Sequence, residues 1–317
     1  MIEFKHVFYS YENPASNTQR HHRRSKQSSS TAATENEQVA NATWALKDIT
    51  LTIHDGSFVG IAGHTGSGKS TLIQHMNGLI HPLRGAVYVD GNDIAHRQAA
   101  IDARKHIGLV FQYPEHQLFA ETVHDDVAFG PRNHGLPADE VEQRVAEALE
   151  SVNLDPASIG SVSPFELSGG QQRRVAFAGV LAMRPDTLIL DEPMAGLDPA
   201  ARQSFLDLIA SLHKKRQMTI VMVSHNMNDL AALCDRIVIM NHGQIYTMGT
   251  PEQVFSDASS LQHIGLDVPD TQRFVQLLKD QGINLAPHLY SIDSLADAIA
   301  HELGAASMPH STRQDVN

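Results

Sequence analysis

Residues 63–70 read Gly-His-Thr-Gly-Ser-Gly-Lys-Ser. They stand between an apolar run, Ser57-Phe58-Val59-Gly60-Ile61-Ala62, and a helix-forming run, Thr71-Leu72-Ile73-Gln74-His75-Met76. Glycines at these positions let the backbone curl tightly, so that successive N–H groups and the N-terminus of the following helix face one point. A G-x-x-x-x-G-K-S loop set between a strand and a helix is a cradle for the phosphates of a nucleoside triphosphate. In that reading Gly63, His64, Thr65, Gly66, Ser67, Gly68 and Thr71 line the nucleotide, Lys69 bridges β and γ oxygens, and the Ser70 hydroxyl holds Mg2+.

A second apolar segment, Thr187-Leu188-Ile189-Leu190, reads as a buried strand and ends in Asp191-Glu192-Pro193. At a strand's carboxyl end, Asp191 is placed to hold the metal's shell through water, and Glu192 to orient or deprotonate an attacking water. Two carboxylates after a strand also make an ordinary solvated turn, and the phosphate loop upstream decides between the readings. Between the two motifs lies Leu167-Ser168-Gly169-Gly170-Gln171-Gln172-Arg173-Arg174. Ser168 can cap a helix there, and bare glycines expose N–H groups able to grasp a phosphate. The same residues can equally just start a helix, with Val175, Ala176, Gly179 and Val180 as its small apolar face.

Leu-Ser-Gly-Gly-Gln at 167–171 matches the signature motif of the ATP-binding-cassette ATPases, and with the phosphate loop and Asp191-Glu192 the chain resembles that family. The resemblance implies ATP as nucleotide, with Mg2+. It implies roles for Gln112, after Ile107-Gly108-Leu109-Val110-Phe111, as a contact to Mg2+ and water that senses a membrane partner. It likewise implies a D-loop at Ala195-Gly196-Leu197-Asp198, and a switch histidine at His225 that meets the γ-phosphate. Cassette ATPases bind two ATPs between head-to-tail subunits, so Ser168, Gly169, Gly170 and Gln171 are expected to cap the nucleotide held by the partner subunit. Tyr11 resembles the aromatic that stacks on adenine, with Tyr9 and Trp44 as alternatives.

Phe111 to Val123, followed by Asp125-Asp126-Val127-Ala128-Phe129-Gly130-Pro131, reads as a loop with an acidic, aromatic-bearing edge leading into a short helix. Such an edge suits a basic helix of a partner, and a solvated connector has the same composition. The segment resembles the ATPase subunits of energy-coupling factor transporters, importers of vitamins and transition-metal ions. Tyr113 to Thr122 and Phe129-Gly130-Pro131 resemble the second of the two non-identical ATPases in such systems. The resemblance implies a heterodimer with a homologous ATPase, a transmembrane T subunit whose coupling helices lie beside this segment, and membrane S subunits that select the cargo. The alternatives are the ATPase of a conventional importer or exporter and a soluble cassette protein outside transport.

Apolar runs such as Thr187 to Leu190 and Thr219 to Val223 fall far short of the roughly 20 residues that cross a bilayer, and no secretory n-region and h-region open the sequence. Transport therefore requires a borrowed pore, which implies peripheral attachment at the cytoplasmic face of the membrane. A net charge of −12 argues against a broad face for nucleic acid, and a single cysteine, Cys234, excludes an internal disulfide and reads as a buried small residue. The expected fold is α/β: a P-loop ATPase core with an antiparallel β portion, a helical signature portion and a small carboxyl-terminal helical extension. The nucleotide-binding domain is expected over 1–250, with its helical signature part at 130–180 and an insertion at 13–43. That insertion, with Arg20-His21-His22-Arg23-Arg24-Ser25-Lys26 and a Ser/Thr/Ala-rich stretch, cannot bury enough apolar surface to order itself. The extension is expected over 251–310, with one apolar stripe of Phe274, Leu277 and Leu278 and a partial one of Leu295, Ala298, Ile299 and His301, either packed in its own chain or holding the ATPase pair together. Residues 311–317 are expected to fray.

Overall fold

The structure, a computed structural model, describes residues 1–12, 43–286, 289–290 and 292–306. The insertion apart from Thr43, and the 311–317 tail, lie outside the described residues. The strands are β1 (Ile2–Tyr9), β2 (Leu46–Ile53), β3 (Phe58–Ala62), β4 (Arg84–Val89), β5 (Asn92–Asp93), β6 (Ile107–Val110), β7 (Thr187–Asp191), β8 (Thr219–Val223), β9 (Arg236–Asn241) and β10 (Gln244–Gly249). They form an antiparallel sheet in the order β2-β1-β4-β5 and a six-stranded sheet in the order β10-β9-β3-β8-β7-β6. The pairs β9/β3, β3/β8, β8/β7 and β7/β6 are parallel, and β10 closes the edge antiparallel to β9 through the turn at His242 and Gly243, both at positive φ.

Helices fill the crossovers: α1 (Lys69–Met76), α2 (Arg97–His106), α3 (Val123–Asn133), α4 (Ala138–Ser151), α5 (Gly169–Leu181), α6 (Pro199–Arg216) and α7 (Met227–Leu233). Period-2 alternation splits the parallel strands between two cores. Val59, Ile61, Ile189, Val221 and Val223 turn toward α1 and the antiparallel sheet, where Phe4, Ile49, Leu51, Leu72 and Met76 are buried. Phe58, Ala62, Leu188, Leu190, Ile220 and Met222 turn toward the helical side, against α3, α4, α5 and α6. The face of α4 carrying Val141, Val145, Ala148 and Leu149 is buried there.

Beyond Gly249 the chain forms α8 (Pro251–Phe255), α9 (Ala258–His263), α10 (Asp270–Asp280) and α11 (Ile292–Ala306). Thr250 starts α8 with a capping box to Gln253. The α10 stripe divides: Val275 and Thr271 are buried, whereas Phe274 and Leu277 are 46% and 62% exposed. Packing within the chain therefore does not account for Phe274 and Leu277, and α9 is an element that the sequence reading missed.

Cys234 is buried, as expected, with its thiol pushed well above the ordinary value by burial and by the charges of Asp235 and Asp229. It reports on unfolding: alkylation of Cys234 is expected to follow opening of the core. Phe177 on α5 is fully buried with its ring 5.0 Å from that of Phe205. Phe177→Ala is expected to destabilise the chain by about 3–5 kcal/mol, measured as faster Cys234 alkylation and a lower denaturation midpoint.

His75 lies one turn below the phosphate loop, fully buried, with Nδ1 2.7 Å from the Thr71 carbonyl, its ring edge-on to Tyr9 and Nε2 without a hydrogen-bond partner. Burial lowers its pKa from 6.5 to about 4, against the Thr71 hydrogen bond and with His81 contributing in the same direction. A depressed histidine leaves stability intact above the unfolded pKa of 6.5 and removes it as pH falls toward 4. The loss approaches about 3 kcal/mol. Melting curves from pH 7 to pH 4 are expected to show this acid limb shrinking in His75→Phe relative to the parent chain.

Candidate nucleotide-hydrolysing site

Strand register alone brings the expected site residues together. Ile61 pairs with Val223, Val223 with Asp191, and Val110 with Leu190, so β3, β8, β7 and β6 end at one edge. The next residues along each chain are the phosphate loop, Ser224-His225, Glu192 and Phe111-Gln112. A crevice beyond the carboxyl ends of parallel strands is where ligands bind in such sheets.

The phosphate loop is held from outside. Gly243 N–H donates to the Ser67 carbonyl at 3.0 Å, and the His64 ring meets Asn241 Oδ1 at 2.8 Å, so the β9–β10 hairpin braces it. Two glycines are obligatory on steric grounds. A Cβ at Gly63 (φ +153) would lie 2.4 Å from the Met240 carbonyl, and one at Gly68 (φ +103) 2.5 Å from the Ala45 carbonyl. Gly68 is also the N-cap of α1 and offers no side chain to its free N–H groups, which stay available to an anion. Lys69 is buried, with Nζ donating to the Gly63 and His64 carbonyls at 2.7 and 3.0 Å. Burial lowers its pKa, opposed by the charges of Glu192 and Asp191.

Asp191 shows the opposite stress. Burial raises its pKa, offset in part by a hydrogen bond from Ser70, while Glu192 adds to the rise and Lys69 and His225 oppose it. A buried cation in the loop and a half-buried carboxylate at the end of β7 fit an anionic phosphate and a divalent cation respectively. Among the described residues no group of three His, Cys, Asp or Glu side chains is placed to hold a metal alone. Hard oxygen donors from Ser70 and Asp191, completed by substrate oxygens, match the way Mg2+ is bound. Glu192 is clamped: Oε1 lies 2.7 Å from His225 Nε2, and Gln112 Nε2 donates to Oε2 at 3.5 Å. Its backbone sits at φ +49, a strained position for a side chain of this size, held by its N–H donating to the Val223 carbonyl at 3.1 Å and by Ala195 N–H donating to its own carbonyl at 3.1 Å.

The other expected residues fall into three places. Tyr11 is exposed, but its hydroxyl lies 3.1 Å from Thr71 Oγ1 and its ring is edge-on to Tyr9, which sets it beside the first turn of α1. Tyr9 instead contacts His75, and Trp44 packs against Phe8. Asp198 caps α6, accepting from Ala200 and Ala201 N–H groups. Ser168 and Gln171 form a capping box on α5, while Gly169 and Gly170 are exposed, and a Cβ at either would meet nothing within 4 Å. Among the described residues nothing occupies the space in front of either glycine.

The acidic, aromatic-bearing edge expected over 112–131 is less acidic than its composition: Glu121 stays exposed, but other carboxylates find partners within the chain. Asp126 Oδ2 accepts from the Phe119 and Ala120 N–H groups at 2.9 Å, Asp125 pairs with Arg132 at 2.9 Å, and Glu115 turns inward to Arg173. Backbone donors of the tight turn and nearby arginines claim these carboxylates first. Exposed on the same edge, beside the acid Glu121, is an aromatic pair, Phe119 and Phe129, with ring centroids 4.8 Å apart. Sequence reading also passed over Arg173 and Glu115. An arginine on an otherwise small, apolar helix face, together with an acid just after Gln112, was the available signal.

A family model described as ABC transporter matches residues 46–195. The chain is 51% identical over 269 residues to the energy-coupling factor transporter ATP-binding protein EcfA2 of Caldanaerobacter subterraneus subsp. tengcongensis, covering 84% of this chain and 94% of the relative. It is 53% identical over 256 residues to the protein of the same name from Symbiobacterium thermophilum, covering 80% of this chain and 88% of that one. Among solved structures it resembles cbiO1 of Clostridium perfringens, described as part of the ABC transporter complex cbiONQ, with TM-score 0.68, 32% identity, and 88% and 98% of the two chains covered. It also resembles the ATP-binding cassette MJ0796, solved as a dimer bound to ADP and Pi in a post-hydrolysis state, with TM-score 0.62, 27% identity, and 79% and 98% covered. With the phosphate loop, the carboxylate pair and the signature helix disposed as described, the chain belongs to the energy-coupling factor transporter ATP-binding proteins, a family of ABC transport ATPases.

Proposed function

We propose that this chain hydrolyses ATP to ADP and phosphate to energise uptake of vitamins or transition-metal ions through an energy-coupling factor transporter, paired head to tail with a second, homologous ATPase. The observation that carries the reading is Glu192, clamped between His225 and Gln112 at the mouth of the phosphate loop. A carboxylate so placed orients a water for attack on the γ-phosphate and receives its proton, while His225 holds the carboxylate in line and Gln112 fixes its second oxygen. Lys69 and the free N–H groups of α1 meet the phosphate oxygens. Ser70, Asp191 and Gln112 would hold Mg2+, which would supply positive charge to offset that of the phosphates.

Exposed Gly169 and Gly170 support capping of the partner's nucleotide by Ser168, Gly169, Gly170 and Gln171, with Asp198 at the same seam, so that closure of the pair accompanies ATP occupancy. Tyr11, tethered to Thr71, is the adenine platform. The Phe119–Phe129 pair offers an apolar seat beside Gln112 for coupling helices of a transmembrane T subunit, and S subunits in the membrane would select the cargo. No helix among the described residues is long and apolar enough to cross a membrane, which fits a peripheral subunit at the cytoplasmic face. The domain assignment is a cassette over 1–250 and a helical extension over 251–310 whose exposed Phe274 and Leu277 meet the second ATPase.

Glu192→Gln keeps the shape of the side chain and loses its basicity. The variant is expected to bind ATP normally and to lose roughly 10²–10⁴-fold in kcat; normal turnover would remove Glu192 from the chemistry. Co-purification of the tagged chain from its native membranes, with mass identification of stoichiometric partners, is expected to return a different cassette ATPase, a T-type membrane protein and varied small membrane subunits. Recovery of two copies of this chain with one conventional permease would move the reading to an ordinary importer or exporter.

A further inference from the structure

Arg173 lies in the second turn of α5, and its side chain is only 5% exposed. The guanidinium is shared between two segments. Nε and Nη2 donate to the two carboxylate oxygens of Glu115 at 3.0 and 2.7 Å, and Nη1 donates to the carbonyls of Ala195 and Pro193 at 2.8 and 3.3 Å. Its Cζ also lies 5.9 Å from the centre of the Tyr113 ring, and a Cβ at Gly196 would stand 3.5 Å from that ring. Tyr113 and Glu115 follow Gln112, Pro193 follows Glu192, and Ala195 closes the Glu192 turn through its N–H. One buried side chain on α5 thus joins the loop that begins at Gln112 to the loop that begins at Glu192, and Gln112 donates to Glu192 Oε2.

We propose that Arg173 is a positioning residue for hydrolysis, which aligns Glu192 with Gln112 by fixing the 193–195 turn against Glu115 and links that alignment to the position of the signature helix. Two loops held by one rigid fork move together when α5 moves. A displacement of Gly169 and Gly170 against a neighbouring nucleotide then reaches the carboxylate that activates water. The inference rests on the hydrolytic reading of the site and is independent of cargo and membrane partners.

Lysine separates positioning from simple support of the fold. It keeps a cation opposite Glu115 but is a point charge without the planar fork that serves a carboxylate and two carbonyls at once. In the complex purified from native membranes, R173K is expected to lower kcat roughly tenfold or more. The KM for ATP should change less than about threefold. The melting temperature and the amount of ATP bound per chain should stay close to those of the parent. E115Q should lower kcat in the same way, and the R173K/E115Q pair should lose no more than R173K alone, because the two act as a unit. Full kcat in R173K, losses that multiply in the pair, or a loss matched by a fall in ATP bound per chain would each overturn the proposal. Failure of Glu192→Gln to stop turnover would instead overturn the hydrolytic reading.

Discussion

The parallel pairing of β3, β8, β7 and β6 is the constraint on which the rest depends. Each strand contributes only a few residues, and nearly all of them are buried on both faces, so the register is pinned by two cores at once. A slip by one residue would send Val221 and Val223 to the helical side and Ile220 and Met222 to the antiparallel sheet, reversing their packing. Because the register is fixed, so is the common edge at which the strands end. The side chains that follow those ends converge without any direct contact having to assemble them.

That convergence concentrates charge in a place where burial opposes it. Lys69 is driven toward neutrality and Asp191 toward protonation, each resisted by the other's charge. Glu192 takes a strained backbone conformation to point into the same crevice. Stress of this kind costs on the order of 1–3 kcal/mol per residue and persists only where surrounding structure over-determines it. Here the supports are backbone hydrogen bonds to Val223 and from Ala195, and the hairpin that braces the phosphate loop. An anion at Lys69 and a cation at Asp191 would relieve both stresses together.

Much of this was legible in the sequence because its signals are local. Glycines that the loop needs, an apolar run stopped by two carboxylates, and a β-branched run ending at Ser224-His225 each describe a single strand and its exit. What escaped depends on pairs far apart in the chain. Asp125 and Asp126 look solvated until the turn at Phe119–Ala120 and Arg132 claim them, and Glu115 looks like part of a docking edge until Arg173, 58 positions away, draws it inward. Phe274 and Leu277 carried the right period for a core, but only Val275 and Thr271 of that helix face one.

The polar links between these distant segments are not equivalent in what they contribute. Burial pushes the Glu115 carboxyl up, yet the Arg173 hydrogen bonds and charge outweigh it and leave the group below its usual value, so that pair is electrostatically satisfied. At Asp229, burial raises the carboxyl despite Arg202 at 2.6 Å, so this partner only partly compensates the loss of water. A buried ion pair of that second kind is weak evidence for stability. Its geometry is more informative: Arg202 stands on α6, one turn beyond Asp198, and Asp229 on α7, one turn beyond His225. The neighbouring Asn228 in turn binds Asp270 twice, by Nδ2 to its carboxylate and by Oδ1 from its N–H, both at 2.8 Å. Helices α6, α7 and α10 are thereby registered to one another by polar contacts whose worth lies in alignment. A hydrophobic contact at these points would bury more area without fixing direction, and direction is what a site assembled from four strand ends requires.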